Sequence, residues 1–141
     1  MIRVLVADDQ AAVRSGFAAL IASEEEMQVV GEAGNGREAV DLARRVFPHV
    51  IVMDVRMPVL DGIDATRRIR ELLPKARIVA SSGFGPEKCR MMAAANAPID
   101  VIGTGSYLPE IWSETYATAD IIAYDGEPMV KAGREFLLRK R

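Results

Sequence analysis

The sequence predicts an α/β protein, a five-stranded parallel sheet doubly wound by helices, and three observations predict it. Short runs rich in Val and Ile recur along the chain, at 2–7, 28–32, 50–53, 77–80 and 99–102. Each is apolar on successive residues, the pattern of a parallel strand covered on both faces. Between the runs, apolar residues repeat at helical spacing, so strand and helix alternate.

Each element has its own signals. Val13, Phe17, Leu20 and Ile21 mark the apolar face of a first helix, and Ala39, Leu42, Ala43 and Val46 that of a second. Gly34-Asn35-Gly36 supplies the turn before the second helix, and Pro48 stops it. Asp61-Gly62 starts a third helix over 62–72. Gly85-Pro86 places proline in the first turn of a fourth, over 86–96. After the fifth strand the alternation breaks, and Pro109 to Tyr116 allows only a short helix. Asp120-Ile121-Ile122-Ala123-Tyr124, then Asp125-Gly126, then Glu127-Pro128-Met129-Val130-Lys131 predict a β-hairpin.

Composition narrows the function classes. The 141 residues suit one domain, 1–141, with 50% hydrophobic and 27% charged residues. A net charge of −2 offers no basic footprint, so neither nucleic acid nor an anionic membrane is an expected partner. Cys89 is the single cysteine and cannot form an intramolecular disulfide. The opening apolar run is too short for a signal peptide, and no run reaches transmembrane length. The expectation is a cytoplasmic, non-enzymatic domain.

Ligands of doubly wound sheets gather at the carboxyl ends of the strands. Asp8-Asp9 follows the first strand and Asp54 the third, after Val50-Ile51-Val52-Met53. Neighbouring strands lie about 5 Å apart, so three carboxylates would crowd and repel unless a cation joined them. Mg²⁺, with its preference for oxygen ligands, fits that chemistry. An aspartate after a strand is often only a turn former or helix cap, and Asp61 and Asp64 fit that plainer role.

Residues 1 to about 72 resemble a response-regulator receiver domain of the helix-turn-helix regulator type. The resemblance lies in Val4-Leu5-Val6-Ala7-Asp8-Asp9-Gln10, Val30-Gly31-Glu32-Ala33-Gly34-Asn35-Gly36-Arg37-Glu38-Ala39 and Val52-Met53-Asp54-Val55-Arg56-Met57-Pro58. It implies a flavodoxin-like fold with strand order 2-1-3-4-5. Asp54 would be the phosphoacceptor, and Asp8, Asp9 and Asp54 with the Arg56 carbonyl would hold Mg²⁺. It also implies a hydroxyl after the fourth strand, which Ser81 can supply, and a lysine after the fifth. That strand ends Val101-Ile102-Gly103-Thr104-Gly105 without one. Losing such a charge-assisted bond costs about 2 kcal/mol or more. Lys88, within the fourth helix, is expected on a solvated surface.

Residues from about 77 onward resemble the C-terminal part of nicotinate phosphoribosyltransferase, the end of a β/α barrel. That similarity rests on Val79-Ala80-Ser81-Ser82-Gly83-Phe84-Gly85-Pro86-Glu87-Lys88, on Ala97-Pro98-Ile99-Asp100-Val101-Ile102-Gly103-Thr104-Gly105-Ser106, and on 118–128. It implies a phosphate site at Ser81, Ser82, Gly83, Gly103, Thr104, Gly105 and Ser106. Backbone amides at a glycine turn leading into a helix favour anions on physical grounds as well. Ser82 stands where that family has glycine.

Together the two resemblances imply an engineered chimera, 1–76 from a receiver and 77–141 from a barrel end, joined between Leu72 and Ala80. The expected function is a fold scaffold retaining weak Mg²⁺ binding and the binding of phosphate or a phosphorylated small molecule. A phosphoaccepting receiver and a non-catalytic nucleotide-binding fragment are the alternatives. His49, Cys89, Met91, Met92 and Trp112 are given packing or surface roles. The hairpin's Ile121, Ile122, Met129 and Val130 need a covering surface, and a homodimer through the hairpin is one way to supply it.

Overall fold

In a computed structural model, the structure describes residues 1–81 and 83–103, with the backbone at 123–124 and 127–128. Contacts divide the chain into two compact units, Met1–Tyr107 and Leu108–Arg141.

The first unit is a parallel sheet in the order β2-β1-β3-β4-β5. Its strands are β1 (Ile2–Ala7), β2 (Met27–Ala33), β3 (Val50–Met53), β4 (Arg77–Ser81) and β5 (Val101–Gly103). The helices are α1 (Ala11–Ala22), α2 (Gly36–Val46), α3 (Gly62–Leu72) and α4 (Pro86–Ala94). The predicted strand order and all four helices are therefore present, with ends shifted by two residues or fewer.

Local chemistry explains the boundaries. Asn35 caps α2 by accepting the Glu38 N–H (2.9 Å), and Glu38 reaches back to accept from the Gly34 N–H (2.8 Å). This reciprocal pairing satisfies amide groups that the helix itself leaves unbonded. Phe47 ends α2 in a left-handed conformation, and Pro48 follows it. Asp61 caps α3 through the Asp64 N–H at 2.8 Å, so both aspartates have the helix-start role expected of them.

The core lies around the central strands. Leu5, Ala7, Ile51, Met53 and Ile78 pack with Ala39, Val40 and Ala43 of α2 and Ala65 and Ile69 of α3. A second cluster gathers Val55, Ala80, Phe84 and Met92 under the start of α4. Burial on both faces, expected of every strand, holds for the central strands only. β2 and β5 form the sheet edges, and Met27 and Val101 are exposed there. An edge strand has one neighbour fewer to exclude water, whatever its composition.

The second unit contains an antiparallel pair, β6 (Ala123–Tyr124) with β7 (Glu127–Pro128). It brackets Asp125-Gly126, as the hairpin expectation required. The expected short helix at 109–116 and the outer hairpin residues lie outside the described residues.

Candidate functional site

The site stands where β1 and β3 end side by side. Val4 to Ala7 pair in register with Val50 to Met53, so the next residues on each strand, Asp8 and Asp54, emerge together. The Asp54 N–H donates to the Ala7 carbonyl at 2.8 Å, and the Asp8 N–H to the Ala33 carbonyl at 3.1 Å. Both backbones are thus extensions of the ladder, which holds the two side chains in place.

One carboxylate oxygen from each of Asp8, Asp9 and Asp54 lies within 4.8 Å of the others. Asp8 and Asp54 are only 9% and 8% exposed, while Asp9 is open to solvent. Burial pushes the Asp8 carboxyl above its ordinary range. A hydrogen bond from the Gln10 N–H (2.8 Å) opposes that, and the negative charges of Asp54 and Asp9 reinforce it. Three acidic groups that resist sharing one space form an oxygen-rich donor set for a hard cation. The residues therefore fit a divalent ion such as Mg²⁺.

The loop after β3 completes the site. Asp54 Oδ1 accepts from the buried Val55 N–H at 2.8 Å, which leaves Oδ2 outside that bond. The Gly62 N–H donates to the Val55 carbonyl at 2.9 Å. A Cβ on Gly62 would lie 1.9 Å from the Asp54 carbonyl oxygen, so only glycine fits there. Arg56 follows on the exposed part of the loop.

Beside this loop is a cavity of about 800 Å³ lined by Val55, Arg56, Asp61, Gly83, Lys88 and Met91, among others. It spans the loop after β3 and the start of α4. Lys88 is half-buried, and its Nζ lies 5.7 Å from the ring centroid of Phe84. Phe84 is itself 1% exposed. Lys88 thus stands on a cavity wall beside the loop that follows Asp54, not on the open surface expected of it. Its sequence surroundings carry no signal for this, because the wall is assembled from two loops far apart in the chain.

The glycine-rich turns are partly visible. Ser81 ends β4 and is paired with Gly103 of β5, so the two turns do leave adjacent strands as expected. Gly83 has φ 52°, a left-handed conformation that glycine adopts at no steric cost, and it lines the cavity. Ser82, Thr104, Gly105 and Ser106 lie outside the described residues. The other candidates take plain roles. His49 is exposed, with Nδ1 accepting the Arg3 N–H at 3.2 Å, and Cys89 packs against the Phe84 cluster.

Far from the carboxylates, an ion network absent from the expectations joins β4 and β5. The Asp100 carboxylate accepts from the Ile78 N–H (2.8 Å), Arg70 (2.6 Å) and Arg77 (3.2 Å). Burial alone would raise its pKa, but those donors outweigh burial and hold it below the ordinary carboxylate value. Among the described residues, no helix is long and apolar enough to cross a membrane.

Comparison with known proteins extends this picture. Residues 4–102 match the family model of the response regulator receiver domain. The transcriptional regulatory protein LiaR of Bacillus subtilis is 39% identical over 135 residues, covering 94% of this chain and 60% of LiaR. YxjL, a transcriptional regulatory protein of the same organism, is 45% identical over 87 residues, 62% of this chain and 40% of YxjL. The chain thus spans only part of the length of these relatives. Among solved structures, the response regulator domain of Thermotoga maritima CheB is 32% identical, with a TM-score of 0.68, over 82% of this chain and 87% of that one. The receiver match continues past 72–80, where the chimeric junction was expected, and a phosphoribosyltransferase ancestor is not shown by these findings. The chain belongs to the response regulator receiver domain family.

Proposed function

We propose that this chain is a Mg²⁺-dependent phosphoacceptor module of a two-component response regulator, with Asp54 as the residue that takes the phosphoryl group. The observation that carries this reading is the meeting of Asp8, Asp9 and Asp54 within 4.8 Å at the ends of two paired central strands. On this reading residues 77–103 are the receiver's own β4, α4 and β5. Neither the chimeric scaffold nor the nucleotide-binding fragment is needed to account for them.

The chemistry follows from the placement of the side chains. The Asp54 carboxylate attacks the phosphorus of a phosphorylated histidine or a small acyl phosphate. The bond from phosphorus to the donor's nitrogen or oxygen breaks, and its electron pair leaves with the donor. The product is an acyl phosphate on Asp54. Asp8 and Asp9, with the Arg56 carbonyl, would complete the Mg²⁺ site, and the bound ion would offset charge on the phosphoryl oxygens. Ser81, at the end of the adjacent β4, would donate its hydroxyl to one of those oxygens. The Val55 N–H orients Asp54 by holding Oδ1. The domain would store a phosphoryl group and turn over no small-molecule substrate. In a protein built like the transcriptional regulators it resembles, that state would control an output lying outside this chain.

Intact-mass measurement after incubation with Mg²⁺ and acetyl phosphate tests the assignment. The expected result is a gain of one phosphate on the parent chain and none on Asp54→Asn. An equal gain on both would place the phosphate elsewhere and remove the reading.

A further inference from the structure

The turn that carries Asp8 and Asp9 spans only residues 8–10, between the end of β1 and the start of α1. Like charges push Asp8, Asp9 and Asp54 apart, so the donor set keeps its geometry only if that turn is tied down. The sheet supplies one tie, from the Asp8 N–H to the Ala33 carbonyl at 3.1 Å. The helix supplies little by packing, since no residue of α1 is buried. Gln10 at its N-cap makes no capping bond with its side chain either.

Arg14, one turn into α1, provides the tie on that side. Its guanidinium donates through Nη1 to the Asp8 carbonyl at 2.7 Å. Its Nε lies 3.8 Å from the Glu32 carboxylate, near the end of β2. Glu32 pairs with Val6 in the β1–β2 ladder, two residues before Asp8. One half-buried side chain thus joins helix, turn and edge strand. Its charge has an opposing effect, because its field reaches the Asp8 carboxyl, where it counters the upward push of burial. The same field would repel a bound cation. Glu32 offsets part of that charge and solvent screens more of it, whereas the short charge-assisted bond to the Asp8 carbonyl acts undiminished. Positioning therefore outweighs repulsion.

We infer, resting on the phosphoacceptor reading, that Arg14 is a positioning residue of the Mg²⁺ site, holding the Asp8 carbonyl so that both carboxylates of the turn stay beside Asp54, with Glu32 masking its charge. Arg14 itself touches neither the ion nor the phosphoryl group.

Calorimetric titration of the full chain with MgCl₂, with no phosphodonor present, tests the role. Arg14→Met keeps the apolar stem and removes donor and charge, while Arg14→Lys keeps a charged donor. Denaturation midpoints in chelator show that the variants are folded. Arg14→Met is expected to weaken Mg²⁺ binding about tenfold, and Arg14→Lys to recover part of that loss. Glu32→Gln leaves the bond to Asp8 in place and unmasks the charge, so it is expected to weaken binding by roughly a few-fold, and less at high salt. With acetyl phosphate added, the deficit of Arg14→Met in adduct formation should shrink as Mg²⁺ is raised, which a general loss of structure would not produce. Mg²⁺ binding by Arg14→Met as tight as the parent's, or tighter, would overturn the role, because loss of the charge alone can only favour the cation. Tighter binding by Glu32→Gln would overturn it independently. A parent chain that binds Mg²⁺ but takes no phosphate would remove the phosphoacceptor reading and leave the affinities to decide on Arg14. A parent that binds no Mg²⁺ would remove both.

Discussion

Asp8 shows how a single residue can weaken the fold for the sake of a site. Its carboxyl is pushed upward by burial and by two like-charged neighbours, so the folded state holds it charged at a cost. Replacing it by asparagine removes that cost. Asp8→Asn is expected to raise the urea midpoint in the absence of divalent ions and to lose the stabilisation that added Mg²⁺ gives the parent. A lower midpoint without Mg²⁺ would show that Asp8 is a net stabiliser. Gly62 works the opposite way. Its missing Cβ lets α3 start against the Asp54 carbonyl, and Gly62→Ala is expected to cost roughly 1–3 kcal/mol or more in urea unfolding. The three aspartates were legible in the sequence because charged residues directly after an apolar strand are conspicuous. The need for glycine at 62 and the place of Lys88 were not, since both depend on contacts with backbone distant in sequence.

At the scale of elements, one side chain reinforces the short backbone ladder between β4 and β5. β5 has three residues and, among the described residues, a single strand neighbour. Asp100, just before it, takes hydrogen bonds from the Ile78 amide, from Arg70 of α3 and from Arg77 of β4. Removing the carboxylate leaves those donors without their shared acceptor. Asp100→Ala is expected to cost about 2 kcal/mol, and hydrogen exchange should quicken in β5 before it does in β1 or β3. Exchange unchanged at β5 would show that the clamp is dispensable. The boundaries of β1, β3 and α3 could be read closely from apolar runs and caps. The edge strands were misjudged because an apolar run records β-propensity and burial together, while position in the sheet decides which face stays wet.

For the whole molecule, alternating strands and helices made the fold readable, and the receiver match over 4–102 agrees with it. The ancestry of the second half was harder to read. A strand end, a glycine turn and a helix start bind phosphate in many α/β proteins, so the same residues suit a barrel end and the β4–α4 unit of a receiver. The two shifted carboxylates also shape stability across pH. Asp100, held below its ordinary value of 3.8, contributes stability that is present above that value and lost as pH falls through its folded value. Asp8, raised above 3.8, has the opposite sign: its contribution is present below that value and lost as pH rises through its folded value. Metal-free protein should therefore lose stability less steeply on acidification with Asp100→Asn, and should no longer show the decline with rising pH that Asp8 causes with Asp8→Asn. Denaturation midpoints across acid pH, with a chelator present, check both slopes.

The most direct measurement is the location of the phosphate. Protein treated with Mg²⁺ and acetyl phosphate is reduced with borohydride, which converts an aspartyl phosphate to homoserine, and then digested for peptide mass analysis. Homoserine at position 54, absent when a chelator replaces Mg²⁺, is the predicted result. Homoserine at Asp8 or Asp9 instead, or an unmodified Asp54 in fully folded protein, would contradict it.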